Sequence, residues 1–285
     1  MHKRIATCLT CSLAVGAQVL CEGSAASAET DAERRFAAAA KANKVLKAAL
    51  APIRAEEAQM NQRWEDDEDG FRNLPPRAWP PRQPDAEELP ELQKRVAAAC
   101  TAATAATGTA AGADVDAKAK AECETATFDL ASCLVFNSLD AELALEHYRS
   151  LSAQGSTDAT VACGMLLTEG LGVECDEEQG VACLRAAAGV GHAQGCYELA
   201  SAIYTGAAPA TDGGDADAAA FTLFDTAARQ QHTGAMFMAG DMLLGGEGVR
   251  QDVTRGVQLV YAAAEQGHRF GRQRVRSLLD GTREE

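Results

Sequence analysis

Met238-Ala239-Gly240-Asp241-Met242-Leu243-Leu244-Gly245-Gly246-Glu247-Gly248-Val249-Arg250-Gln251-Asp252, followed by Tyr261-Ala262-Ala263-Ala264-Glu265-Gln266-Gly267-His268, is the stretch that decides the fold. Met238 and Met242 stand four residues apart, the spacing of neighbours on a helix face. The Gly-x-Gly-Val turn at Gly246 to Val249 ends this first helix, and Asp252 is suited to start a second, since its side chain can accept a hydrogen bond from the next turn. Small residues and a Gly turn close the second helix.

The same unit recurs along the chain. Gly170, Gly206, Gly246 and Gly281 are spaced 36, 40 and 35 residues apart. Three residues before each stands Leu167, Ile203, Leu243 or Leu278, and six before stands Gly164, Ala200, Gly240 or Val275, a small contact position in all but the last copy. Gly170-Leu171-Gly172-Val173 repeats the turn, with Asp176 as the helix starter. A degenerate first copy has Phe128, Leu130, Ala131 and Leu134 in its first helix and Leu143 to Gln154 in its second. A period of this length, built from helix pairs, predicts an all-α protein: an α-solenoid of about four antiparallel helix-pair repeats over residues 121–285.

Composition agrees. Sixty of the 285 residues are alanine and only 14 are aromatic, which favours close helix-on-helix packing over a large aromatic core. Residues 30–120 are near neutral, with 14 bases and 15 acids. Residues 121–285 carry 10 bases, none of them lysine, against 24 acids. So acidic a surface disfavours nucleic acid and anionic membranes and favours neutral or basic protein partners.

Residues 1–28 read as a targeting segment: His2-Lys3-Arg4, an apolar run from Ile5 to Leu20, and small residues to Ala28. The run is too short and polar for a membrane span. Residues 29–120 read as a helical and Pro-rich, partly disordered extension. It holds a helical period from Thr30 to Gln59 broken at Pro52, an acidic run from Glu65 to Asp69, and a stiff Pro75 to Pro84 spacer around Trp79. A helix from Asp85 to about Ala106 then passes into an Ala/Thr/Gly tract up to Ala113.

The repeat copies closely resemble the Sel-one-like repeat (SLR), a relative of the tetratricopeptide repeat; Tyr261 to His268 and Met238 to Asp252 match its pattern nearly throughout. Gly195 to Ala207, followed by a long loop, is similar to the helical cysteine-rich subgroup, whose mitochondrial members assist cytochrome c oxidase assembly. The resemblance implies a protein-binding scaffold in an oxidising compartment, the mitochondrial intermembrane space, with the secretory pathway or endoplasmic reticulum as the other address and a quality-control adaptor as the other role. That subgroup bridges successive repeats by Cys-x7-Cys pairs. Here Cys196 keeps the second position and Ala188 replaces the first, so the usual bridges are absent.

Removing the leader leaves seven cysteines. Cys123 and Cys133 share one helical face about three turns apart. The disulfide candidates are Cys163, Cys183, Cys123, Cys133 and Cys196, with Cys163 to Cys183 inside one repeat the preferred pair; buried free thiols are the alternative. Cys175, next to Glu174 and Asp176, is the one thought of for a thiol-disulfide enzyme, and its acidic neighbours argue against it.

Other chemistry is sparse. His192, His232 and His268 hold equivalent repeat positions, which points to a structural role and no metal site. Met236, Met238 and Met242 read as core filler. No lysine follows Lys120, so the Ser-x-x-Lys nucleophile of β-lactamase-like acyl chemistry is missing, and no metalloprotease, Walker or dinucleotide motif appears. We therefore expect a non-enzymatic monomer without cofactor. Its partner groove is expected along the first helices of the repeats, with Asp129, Glu198 and Asp241 exposed in it, and Arg269, Arg272, Arg274 and Arg276 form a hydrophilic terminal face.

Overall fold

A computed structural model describes residues 43–66, 84–106, 113–137, 139–210 and 214–282. The targeting segment, the Trp79 spacer and most of the acidic run and the Ala/Thr/Gly tract lie outside the described residues. From Val45 onward the chain forms one compact unit. All its described regular structure is helical. Helix α1 covers 43–55 and α2 Glu57–Asp66; a 3-10 turn, Ala86–Glu88, leads into α3, Leu89–Ala106. Four pairs follow: α4 (Ala113–Phe136) with α5 (Ala141–Ala153), α6 (Thr157–Glu169) with α7 (Glu177–Gly189), α8 (Ala193–Thr205) with α9 (Ala216–Arg229), and α10 (Thr233–Gly245) with α11 (Val253–Glu265). A single helix, α12 (Arg269–Asp280), ends the stack. Each helix packs on the next in sequence order, the arrangement of an α-solenoid.

Local chemistry starts and stops each helix. Every second helix of a pair begins at an aspartate. Asp140, Asp176, Asp215 and Asp252 accept from the backbone N–H groups of Leu143, Gln179, Asp217 and Arg255 at 2.9 to 3.1 Å. A carboxylate there also meets the positive end of the helix dipole. The first helices α6, α8 and α10 end at Gly170, Gly206 and Gly246 in the left-handed conformation, with φ of 63°, 81° and 76°. Gly281 differs, closing α12 at φ −65°.

Within a pair the helices cross on small residues. A Cβ at Gly180 would lie 2.9 Å from the Thr168 backbone nitrogen and 3.0 Å from the Gly164 carbonyl oxygen. Gly240 and Gly256 repeat this close approach two repeats later, and the fully buried Ala200 and Ala220 lie in the pair between. Met236 and Met242 are buried core residues and Met238 packs partly against the core. Phe224 is fully buried, with Tyr197 and Tyr204 at ring-centroid distances of 5.8 and 6.5 Å.

The N-terminal extension departs from the reading above. The expected boundary at 121 falls inside α4, which begins at Ala113, because α3 packs along α4 as a hairpin and buries Leu92 in the solenoid core. Helix α1 continues through the exposed Pro52, and the chain turns at Glu56 instead. Proline there removes one backbone hydrogen bond and crowds the carbonyl four residues earlier, a local cost that the packing of Leu50 and Ile53 in the core offsets. Helices α1 and α2 then cover the far end of the solenoid: Leu50, Ile53, Met60 and Trp64 share a core with Val257, Val260, Val275 and Leu279.

Three of the four α12 arginines are therefore drawn out of the expected solvated terminal face, and Arg269 alone of the four stays exposed. Arg272, only 9% exposed, and Arg276 lie 5.5 and 5.6 Å from the centroid of the Trp64 ring, within cation–π range. Trp64 Nε1 donates to Glu265 at 3.1 Å. Arg54 reaches the end of α12, donating to the Leu279 carbonyl at 2.8 Å and to Thr282 Oγ1 at 2.7 Å, so carbonyls without an intrahelical partner gain a cationic donor.

Candidate functional site

The histidines form a ladder between successive first helices. His192, His232 and His268 each cap a helix, Nδ1 accepting from the N–H of Gly195, Ala235 and Gly271 at 3.1 to 3.2 Å. An accepting Nδ1 leaves the proton on Nε2, which reaches back one repeat: to Asp158 Oδ1 at 2.9 Å from His192, and to Gln194 Oε1 at 2.8 Å from His232. Tyr197 stacks on His232 and Phe237 lies 4.7 Å from His268. Burial pushes the His232 imidazole down to about 4 and lowers His268 in the same direction. With both ring nitrogens committed, His192 and His232 tie successive repeats together. Among the described residues no group of three His, Cys, Asp or Glu side chains is placed to hold a metal ion.

The expected groove acids do not form one open surface. Asp129 is 7% exposed and pairs with Arg95 of α3 at 3.4 Å, because α3 covers that part of α4. Asp241 pairs with Arg274 of α12 at 2.8 Å. Glu198, half-buried, accepts from Gln194 at 2.6 Å. Packing between neighbouring helices, invisible in a single repeat, gave Asp129 and Asp241 their partners, while Glu198 takes Gln194 from its own helix.

The thiols are also rearranged. The disulfide joins Cys123 of α4 to Cys100 of α3, a cysteine outside the expected candidates. Cys133 is buried with its thiol donating to the Asp85 carbonyl at 3.4 Å. Cys163 and Cys183 are both free. They are near enough that Cys183 adds to the burial that pushes Cys163 up to about 12. Cys196 is free and buried, 3.8 Å from the Ala188 carbonyl oxygen, so the residue facing it offers no sulfur. Burial raises Cys133, Cys183 and Cys196 as well, the reverse of what a nucleophilic thiol needs.

An open cleft lies among the described residues. It measures about 690 Å³ and lies between α5 and the turn joining α6 to α7. Its walls carry Glu142 and Glu146 from α5, Glu174 and Asp176 from the turn, and Glu177 and Glu178 from the start of α7. Leu145, Leu167 and Val173 supply apolar lining, Arg149 is the one cation in the lining, and the exposed Cys175 sits at the edge. Nothing in the repeat alignment singled this cleft out, although the density of acids from Glu174 to Glu178 was visible in the sequence.

Helix pairs stacked in one direction, with reactive side chains spent on caps and inter-repeat contacts, define an α-solenoid repeat protein. Residues 127–268 belong to the Sel1 repeat family, whose model matches four times, at 127–156, 157–192, 193–232 and 233–268. The last three matches coincide with helix pairs described above, and the first begins inside α4 and ends after α5.

Among solved structures, the chain is similar to a Sel1 repeat protein from Oxalobacter formigenes, with 24% identity and a TM-score of 0.46 over 56% of this chain and 48% of that one. It is also similar to a protective antigen of uropathogenic Escherichia coli strains that displays an SLR fold, with 22% identity and a TM-score of 0.32 over 54% of this chain and 41% of that one. A third is a sel1 repeat protein from Klebsiella pneumoniae subsp. pneumoniae, with 18% identity and a TM-score of 0.31 over 56% and 95%. The chain thus spans less than half the length of the first two. No curated protein matches it.

Proposed function

We propose that the protein is a non-enzymatic scaffold that binds other proteins. The observation that carries this reading is the stack of four Sel1 repeats, an architecture that presents extended surface. The histidines and the buried thiols serve helix caps and core, and no described helix is long and apolar enough to cross a membrane. The disulfide between Cys100 and Cys123 supports an oxidising compartment.

Our more specific reading places the chain in the mitochondrial intermembrane space as an assembly factor for a respiratory complex, cytochrome c oxidase. It is supported by the resemblance to the helical cysteine-rich subgroup. Crosslinking pull-down of a C-terminally tagged chain from its native cells, with imaging of the same tag, tests both levels. Recovery of respiratory subunits from mitochondria supports the specific reading. Chaperones or glycoproteins recovered from the endoplasmic reticulum would replace it with the adaptor role and keep the scaffold. A chain that crosslinks to no protein would overturn the scaffold itself.

A further inference from the structure

The cleft between α5 and the α6 to α7 turn has three properties that belong together. Its carboxylates are not balanced: among the described residues Glu142, Glu146, Glu174, Glu177 and Glu178 are exposed and enter no ion pair, and Arg149 is turned to Gln179 at 3.4 Å. Helix starts account for some of these acids, since Glu142, Glu177 and Glu178 lie in first turns and Asp176 is a cap. Glu146, mid-helix, and Glu174, in the turn before the cap, have no such role, yet both open on the same cleft.

The second property is the apolar lining: Leu145 and Leu167 are 7% and 4% exposed beside the acidic rim. The third is an apolar border. A Cβ on Gly172 would meet the Ala141 Cβ at 2.8 Å, so the turn lies directly on the start of α5. Leu139, Leu143 and Leu171, all exposed, are each within two residues of that contact, and Phe136, also exposed, ends α4 just before it. Four of the seven large hydrophobic side chains exposed among the described residues are thus gathered at this corner.

We infer that this corner is a docking site for a basic amphipathic segment of a partner protein, a helix with lysines or arginines beside a leucine face. Charge complementarity selects the cations, whose aliphatic stems suit the apolar lining while their heads reach the carboxylates. The leucine face covers Leu139, Leu143 and Leu171 in the manner of a helix laid in a groove. This inference rests on the scaffold reading and assigns it a place and a partner chemistry.

The test uses the full chain and a fluorescein-labelled leucine–lysine peptide about four helical turns long, with binding read by anisotropy. Glu146→Gln/Glu174→Gln is expected to weaken binding by about tenfold or more, and Leu143→Ser/Leu171→Ser by a similar factor. Glu146→Gln/Glu174→Gln is exposed at positions without caps and is expected to keep the parent's thermal midpoint. Leu143→Ser/Leu171→Ser, at residues 39% and 44% exposed, is expected to lower it by a few degrees while the chain stays folded at the binding temperature. Glu87→Gln/Glu122→Gln removes equal charge outside the cleft and is expected to change binding less than about twofold. Replacing leucine by glutamine in the peptide is expected to cost about tenfold.

The inference fails if the cleft variants bind the peptide like the parent, if the control pair weakens it equally, or if the glutamine peptide binds as well. Should it fail while the tagged chain still crosslinks to cellular proteins, the scaffold reading survives and the partner sits elsewhere. Loss of crosslinked proteins as well removes both.

Discussion

His232 shows how one side chain binds two repeats and what it costs. Nδ1 accepts the cap bond from Ala235, and a proton placed there would remove that bond. The unfolded chain takes up the proton near the ordinary value of 6.5, the folded chain only near 4. Stability is therefore full above about 6.5 and is lost as pH falls towards 4, by about 3 kcal/mol for this residue. His268, lowered by burial too, adds in the same direction. Urea melts across this pH range should show the decline, and His232→Asn, which retains a capping oxygen but does not titrate, should flatten it. A His232→Asn variant with the parent's pH slope would remove His232 as the cause.

At the scale of the element, the crossing of paired helices depends on the absence of a side chain. Gly180→Ala places a methyl 2.9 Å from the Thr168 backbone nitrogen, so α6 and α7 have to separate. We expect a net loss of about 1 to 2 kcal/mol in chemical denaturation, after a gain of up to about 1 kcal/mol from the better helix propensity of alanine. The hairpin of α3 and α4 is held differently, by a disulfide that closes a sequence separation of 23 residues. On chain-entropy grounds Cys100→Ser should cost about 3 kcal/mol, and the same loss should follow reduction of the parent protein. If reduction leaves the melting midpoint unmoved, the hairpin is held by the Leu92 packing alone.

For the whole molecule, the decisive feature is that the segment before the repeats caps both ends of them. Helix α3 covers the first pair and α1 with α2 covers α11 and α12, so neither end of the stack is left as bare apolar helix. Trp64 is 2% exposed between Arg272, Arg276 and Glu265. Trp64→Ala should cost about 3 to 5 kcal/mol of stability. The loss should be regional, with amide exchange rising in α11 and α12 well before the α6 to α9 core. Uniform loss of protection would instead show that the stack unfolds as one unit.

The repeat itself was legible in the sequence because its causes are local. A glycine that adopts positive φ at Gly246, an aspartate that caps at Asp252 and a histidine that caps at His268 act within three or four residues of their own positions. The 35- to 40-residue period, the four pairs and the structural role of the histidines follow from those short-range bonds. Only the tertiary structure decided which side chains meet across the stack. Arg95 buries Asp129, Cys100 bonds Cys123, and Arg54 closes a helix 228 residues away at Thr282. Such contacts depend on how successive helix pairs rotate and on which end of the solenoid the N-terminal helices reach, and no periodicity along one strand of sequence encodes either. The acidic corner has the same origin: Glu146 and Glu174 stand 28 residues apart in the chain, and α5 and the α6 to α7 turn bring them to one cleft.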